Sequence, residues 1–166
     1  VYSGLDAETI QDDKFEYLQK TLRIISGYYG ILRPFDKILP YRLEMGTRLE
    51  NENGNNLYKF WGDKITDVLN DDIEDNDIVV NLASDEYFKS INKEKLNAEI
   101  ITPVFKEFKN DSYKVIAIYA KKARGLMSRF LIERKSKNVD DIKLFNTDGY
   151  TFDGNLSTEN ELVFTR

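Results

Sequence analysis

Apolar residues recur at spacings of three and four in three segments, a pattern that predicts amphipathic helices. These segments are 13–26, 57–70 and 121–135. Asn56 stands at the N-cap position of the second predicted helix, where its side chain suits capping. Gly62 interrupts the same helix, because glycine costs about 1 kcal/mol relative to alanine in a helix interior.

Other segments carry the shorter period or the β-branched residues of strands. Residues 77–83 are mostly apolar, which predicts a buried strand. Segments 99–108 and 113–120 are predicted to form a hairpin through the turn 109–112, with Pro103 marking an edge or a bulge. Two further strands are possible at 150–152 and 161–165. This mixture predicts an α+β fold with a mixed or antiparallel sheet and packed helices.

The amino-acid composition limits which catalytic groups and metal ligands the chain can supply. The 166 residues are 41% hydrophobic and 32% charged, as expected for a single globular domain over 1–166. Histidine and cysteine are absent, which excludes a Ser-His-Asp triad, a thiolate nucleophile and Cys or His metal ligands. Acid–base chemistry would fall to Asp, Glu, Lys or Tyr. We expect no metal site and no cofactor.

The sequence shows neither a signal peptide nor an apolar run long enough to span a membrane, so we expect a cytoplasmic protein without membrane contact. It leaves the oligomeric state open. Because the chain starts at Val1 without an initiator methionine, we interpret it as a fragment of a longer protein.

Charge is unevenly distributed. The net charge is −5, yet residues 121–137 hold seven basic residues and one acidic residue. Lys121, Lys122 and Arg124 are predicted to lie near a helix N-terminus, where the helix dipole disfavours cations unless an anion is bound. This placement suggests an anionic partner. The alternative is a solvated helix face that binds nothing.

A second anion-binding candidate is the junction 22–34, where a predicted helix runs into a turn bounded by Gly27 and Gly30. This outline is typical of a helix-hairpin-helix element, whose turn presents backbone N–H groups to a phosphate. The alternative is a plain helix C-cap followed by a loop.

Two polar clusters complete the candidates. Arg42 and Arg48 could clamp a phosphate or carboxylate while Glu44 acts as an acid or base, although a surface ion-pair cluster is the alternative. Asn81 interrupts the predicted apolar strand close to its C-terminal edge, where polar groups often line a ligand crevice. Ser84 follows it, and we interpret Ser84 as the cap of a short helix.

Eight long motifs cover most of the chain. They are SGLDAET (3–9), ISGYYGILRPFD (25–36), PYRLEMGTRLEN (40–51), LYKFWGDKITDVLN (57–70), VVNLASDEYFKSI (79–91), AEIITPVFKE (98–107), IYAKKARGLMSRFLIE (118–133) and ELVFTR (161–166). In this order they resemble the YaaA family of peroxide stress proteins. The resemblance covers the C-terminal two-thirds of a family member, which supports the interpretation as a fragment lacking its N-terminal part.

This resemblance implies a role in the response to hydrogen peroxide, in which DNA is protected from damage by intracellular iron. It also implies binding of double-stranded DNA through a positively charged cleft and a helix-hairpin-helix element at 14–36. The predicted contacts to the phosphate backbone are Lys121, Lys122, Arg124, Arg129, Gly27, Gly30, Arg33 and Asn81.

Three alternatives stay open. The first is an enzyme acting on a nucleobase, a nucleoside or damaged DNA, with a carboxylate as the acid–base group and with Arg42 and Tyr119 orienting the substrate. The candidate carboxylates are Glu44, Asp63 and Glu86. The others are an interaction module without chemistry, and direct iron binding through carboxylates.

Overall fold

The computed structural model describes residues Val1–Arg166, which divide into two units. The first unit comprises Val1–Tyr17, Ile78–Leu82 and Glu99–Arg166. The second unit comprises Leu18–Asp77 and Ala83–Ala98. Each unit has its own sheet, and each is described separately.

Helices and strands alternate irregularly along the chain. The helices are α1 (Tyr2–Leu5), α2 (Phe15–Thr21), α3 (Leu57–Trp61), α4 (Lys64–Asp72), α5 (Asp85–Phe88), α6 (Ala117–Arg134) and α7 (Val139–Lys143). The strands are β1 (Ile24–Ser26), β2 (Gly30–Leu32), β3 (Ile78–Val80), β4 (Glu99–Lys109), β5 (Ser112–Lys114), β6 (Thr151–Phe152) and β7 (Glu161–Thr165). The α+β class is confirmed.

The first unit is built on a five-stranded mixed sheet in the order β3-β4-β7-β6, with β5 paired to β4. Strands β3, β4 and β7 are parallel, whereas β5 and β6 are antiparallel to their neighbours. The β4–β5 turn has Asn110 and Asp111 at φ 51° and 56°, the left-handed conformation that tight hairpins require. The predicted hairpin is therefore confirmed.

Pro103 lies within β4 and pairs with Leu162 of β7. Thr102 and Phe108 donate their N–H groups toward β7. Because the backbone nitrogens of successive residues in a strand point to opposite sides, the Pro103 nitrogen points away from β7. On that side β3 ends opposite Ile101, so no ladder donor is needed at this position. The prediction of an edge at Pro103 holds locally.

One face of this sheet packs against α6 and α7. The buried cluster consists of Ile101, Phe105, Ala123, Met127, Ile142, Phe145, Tyr150, Leu162 and Phe164. Phe105 is at its centre, with its ring stacked on Phe164 at a centroid distance of 5.5 Å and edge-on to Tyr150 at 5.2 Å. Burial of large apolar side chains from two strands and two helices stabilises this unit.

Helix α6 starts earlier than the sequence predicts. Residues 113–120 were expected to be a strand, but the strand ends at Lys114 and the helix begins at Ala117. The prediction was wrong because the alternating apolar residues 115 to 119 are mostly exposed and line no sheet face. Ile116 at the N-cap supplies no side-chain cap, so the sequence contains no start signal there.

Helix α1 packs on α6 through two glycines. A Cβ atom built on Gly125 would lie 1.9 Å from the Val1 carbonyl oxygen, and one on Gly4 would lie 2.4 Å from the Lys122 carbonyl oxygen. The obstructing atoms are backbone, which cannot rotate away. Glycine is therefore required for this close approach of the two helices.

The predicted helix over 13–26 is wrong in its second half. A 3₁₀ turn and α2 occupy residues 12 to 21, but β1 then forms an antiparallel hairpin with β2. The turn at 27–30 thus joins two strands and not two helices, so the helix-hairpin-helix prediction is wrong. β-Branched Ile24 and Ile25 favour the extended backbone and pair with Leu32 and Ile31.

The predicted helix over 57–70 is present in two pieces. The Asn56 side chain accepts the Lys59 N–H at 2.9 Å, which confirms the predicted N-cap. Gly62 has φ 51° and ends α3, and α4 begins two residues later. Ser84 occupies the N-cap position of α5 as predicted, although its side chain makes no capping hydrogen bond.

Candidate functional site

The exposed cations of α6 lie one turn inside the helix. Because α6 begins at Ala117, its first turn is uncharged, and the premise of cations crowding the helix N-terminus is wrong. The dipole acts mainly within the first turn, so it contributes little at Lys121 and Lys122. Lys121 is exposed and makes neither a hydrogen bond nor an ion pair, so its ammonium group is available to an anion.

Lys122 adjoins a polar network at the carboxyl ends of β4 and β7. Its Nζ lies 3.3 Å from Asp148 Oδ2, which also accepts from Arg166 Nη1 at 2.8 Å. Arg166 Nε donates to Glu107 Oε2 at 2.9 Å, and the Tyr150 hydroxyl donates to the same carboxylate. The Arg166 guanidinium is therefore fixed by two carboxylates.

Electrostatics in this network follow from burial and pairing. Burial raises the pKa of Asp148, but hydrogen bonds and charge from Lys122 and Arg166 outweigh it and leave the pKa below its usual value. Burial, and then the hydrogen bond to Glu107, raise the pKa of Tyr150 above its ordinary range. The phenol therefore stays neutral and acts as a donor.

Arg129 serves as an internal clamp. Its Nη1 donates to Asp6 O at 2.9 Å and Thr9 Oγ1 at 2.8 Å, its Nη2 donates to Thr9 O at 3.1 Å, and its Nε pairs with Glu133 at 2.7 Å. These contacts tie the segment that follows α1 to α6. A phosphate contact by Arg129 stays a prediction, and it would have to replace these bonds.

The remaining candidates of the first unit are partly buried. Arg124 Nε lies 3.4 Å from Ala120 O. The Asn81 N–H donates to Ile101 O at 2.8 Å and extends the β3–β4 ladder.

In the second unit, the Gly27–Gly30 turn is satisfied internally. The Ser26 hydroxyl accepts the N–H groups of Tyr28 at 3.2 Å and Tyr29 at 2.9 Å. These are two of the donors that the sequence assigned to a phosphate. The Gly27 carbonyl accepts from Trp61 Nε1 at 3.0 Å.

Packing also explains the glycines of this turn. A Cβ on Gly27 would lie 2.5 Å from the Leu43 carbonyl oxygen. Gly30 has φ 78°, and a Cβ there would lie 2.7 Å from the Trp61 ring. Both glycines are thus needed for the turn to pack.

Around this turn lies a cluster of three tyrosines that sequence reasoning missed, here called the tyrosine cluster: Tyr28, Tyr29 and Tyr41. Their ring centroids are 4.9 to 5.5 Å apart. The signal that could have found it is the pair of adjacent aromatics between two glycines, GYYG. Only the glycines of that motif entered the sequence prediction.

Arg33 is engaged with Asp72. Its Nη2 lies 2.6 Å from Asp72 Oδ1, while Arg23 Nη2 lies 2.8 Å from Oδ2. Burial raises the pKa of Asp72, but hydrogen bonds and charge from the two arginines outweigh it, so the pKa lies below its usual value. Half of the Arg33 side chain (49%) nevertheless stays exposed.

Arg42, Glu44 and Arg48 are exposed, and their side chains form no hydrogen bond or ion pair. They do not form a surface ion-pair cluster. The other two candidate carboxylates are engaged. Glu86 Oε1 accepts the Gly46 N–H at 2.8 Å, and Asp63 accepts from Lys95 and Asn92.

The predicted site residues are distributed over both units: Arg42 and Glu44 belong to the second, and Asn81, Lys121 and Arg124 to the first. No group of three or more Asp or Glu side chains is placed to hold a metal ion. No helix has both the length and the apolar character needed to cross a bilayer.

The sequence matches a known protein family. A family model described as peroxide stress protein YaaA matches residues 1–156, which is nearly the whole chain.

Proposed function

Because the chain belongs to the family of the peroxide stress protein YaaA, we propose that it binds the phosphate backbone of double-stranded DNA during the response to hydrogen peroxide. In this proposal it acts in the cytoplasm and limits iron-dependent oxidative damage to DNA. Binding to phosphates requires cations that are exposed and not consumed by internal ion pairs.

The observation that carries the proposal is that the two lysines of α6 are exposed and are not held by strong internal ion pairs. Lys121 is exposed and unpaired, and the Lys122 side chain is 53% exposed, with a single 3.3 Å contact to Asp148. An exposed ion pair of this kind is worth little, about 0–1 kcal/mol, so a phosphate can compete with it. Lys135 and Lys137, just beyond the helix, are exposed as well.

The direct test replaces these lysines and measures affinity for a labelled duplex by fluorescence anisotropy. Lys121→Gln together with Lys122→Gln should weaken binding by roughly ten-fold or more at low salt, uniformly over duplex sequences. Lys20→Gln is a control, because this lysine is 74% exposed and its contact with Glu74 is long, at 3.6 Å. Equal affinity of the double variant and the wild type would refute the proposed contacts.

A second candidate function is an enzyme acting on a nucleobase, a nucleoside or damaged DNA. One observation favours it: Glu44 is the one carboxylate of the three candidates whose oxygens have no partner. An unpartnered carboxylate is free to move a proton. Glu44→Gln should abolish base release from a damaged duplex while leaving DNA affinity intact or slightly improved. Undiminished turnover in this variant would exclude the role of Glu44.

A further inference from the structure

We propose that Met45 is the site at which hydrogen peroxide first modifies this chain, and that its oxidation releases the segment 33–56. The chain contains two methionines, Met45 and Met127, and no cysteine, so these residues supply its two sulfur atoms. Sulfur-containing side chains are the ones that peroxide oxidises by direct reaction. The proposal concerns a modification and does not depend on the proposed DNA binding.

Met45 anchors a long segment that has no regular structure. Residues 33–56 lie between β2 and α3 and contain turns and one isolated bridge, Asn51 with Gly54, but neither a helix nor a strand. Within this segment Met45 is the sole buried residue, and its exposure is 0%. One buried apolar side chain and scattered hydrogen bonds therefore hold the segment on the second unit.

The backbone around Met45 is closely packed. A Cβ atom on Gly27 would lie 2.5 Å from the Leu43 carbonyl oxygen, so the β1–β2 turn lies directly against the segment. After Met45, the Gly46 N–H donates to Glu86 Oε1 at 2.8 Å, and a Cβ on Gly46 would lie 3.0 Å from the same oxygen. A sulfoxide adds a polar oxygen that this buried site neither accommodates nor solvates, so the oxidised side chain favours the open segment.

Met127 is buried to the same degree, but a different structure covers it. It lies in α6 and belongs to the buried cluster between this helix and the sheet of the first unit. Access to its sulfur requires the loss of that core packing, whereas opening of 33–56 breaks neither a helix nor a strand pair. Local openings need less free energy than the unfolding of a core and are therefore more often populated. Peroxide should reach Met45 first.

The reaction balances with hydrogen peroxide as the oxidant. A lone pair of the Met45 sulfur attacks one peroxide oxygen, the O–O bond breaks, and a sulfoxide and one water molecule are formed. The sulfur loses two electrons and the peroxide gains them. Since Arg42, Glu44 and Arg48 are exposed on the same segment, its release would displace all three side chains together.

The experiment treats the native chain with hydrogen peroxide beside a metal chelator, which prevents damage by hydroxyl radicals, and follows each methionine by peptide mass spectrometry. Met45 sulfoxide should form at least about ten-fold faster than Met127 sulfoxide. Limited trypsin cleavage at Arg42 and Arg48 should then be about ten-fold faster in the oxidised chain than in the reduced one. Treatment with methionine sulfoxide reductases A and B should restore the original rate.

Two matched variants isolate the effect of Met45. Met45→Leu keeps the apolar volume but cannot be oxidised, so peroxide should leave its cleavage rate unchanged, while Met127→Leu should respond as wild type. Equal oxidation rates at the two methionines, oxidation of Met127 first, or oxidation only in denaturant that unfolds the chain would overturn the assignment of Met45. Formation of Met45 sulfoxide without faster cleavage would overturn the release of the segment.

Discussion

Arg129 and Lys121 lie on the same helix, and the structure predicts opposite consequences for their removal. Arg129 donates to two carbonyl oxygens and a hydroxyl of the segment after α1 and pairs with Glu133, and its side chain is 24% exposed. A hydrogen bond from a charged group contributes about 1.5–3 kcal/mol. After allowance for solvent screening, Arg129→Ala should cost roughly 2–3 kcal/mol in total. Lys121→Ala breaks no contact and should stay within about 0.5 kcal/mol of wild type.

Thermal and urea unfolding followed by circular dichroism would measure both effects. For a chain of this length, the loss at Arg129 corresponds to a fall in Tm of roughly 4–12 °C. Arg129→Lys keeps the charge but not the planar fork of donors, so it should recover only part of the loss. A variant Arg129→Ala with wild-type stability and weakened DNA binding would refute this division of roles and restore Arg129 as a phosphate contact.

Three further predictions concern packing and charge. Gly125→Ala should destabilise the chain, although helix propensity alone favours alanine by about 1 kcal/mol, because its Cβ would lie 1.9 Å from the Val1 carbonyl oxygen; a raised Tm would contradict this close packing. The lowered pKa of Asp72 stabilises the folded state above the unfolded pKa, about 3.9, and this stability is lost as the pH falls through the folded pKa. The urea midpoint of Asp72→Asn should therefore lie below wild type at pH 7 and approach it near pH 3, and a gap that persists in acid would argue against the ion pairs. Tyr150→Phe should lower the free energy of unfolding by about 1–2 kcal/mol, because the Glu107 carboxylate, whose side chain is only 13% exposed, loses a donor; an unchanged urea midpoint would count against that hydrogen bond.

The sequence predicted those elements whose signals are local. Strand β4, the tight turn at Asn110 and Asp111, and the Asn56 cap each follow from a few adjacent residues, and each is confirmed. The start of α6 could not be predicted in the same way. Apolar residues alternate from Tyr113 through Val115 onward, a pattern typical of a strand. No capping side chain marks the true start of the helix.

The hairpin at 24–32 shows a second limit. Apolar spacing continues through Leu22 and Ile25 as if one helix reached Gly27, but pairing with β2 and packing against Trp61 decide the conformation instead. Neither the strand pairing nor the contact with Trp61 produces a periodic pattern of apolar residues that could be recognised in the sequence. The GYYG motif marks Tyr28 and Tyr29 in the sequence, but the packing of Tyr41 against them is visible only in the fold.

The division of basic residues into internal and exposed groups also required the structure. Arg33 and Arg129 hold carboxylates and carbonyls, whereas Lys121, Arg42 and Arg48 hold nothing. Sequence composition counts all of these cations equally. The structure therefore shows which of these cations are exposed and unpaired, and a contact between any of them and a phosphate stays a prediction.

The salt dependence of duplex binding tests the central claim most directly. If lysines of α6 contact DNA phosphates, the logarithm of the binding constant should fall linearly with the logarithm of salt concentration. The magnitude of the slope should decrease by about 0.9 for each phosphate contact removed, and so by nearly 2 when Lys121 and Lys122 are both replaced by glutamine. An affinity that is insensitive to salt, or a slope that is identical in the wild type and the double variant, would contradict the account.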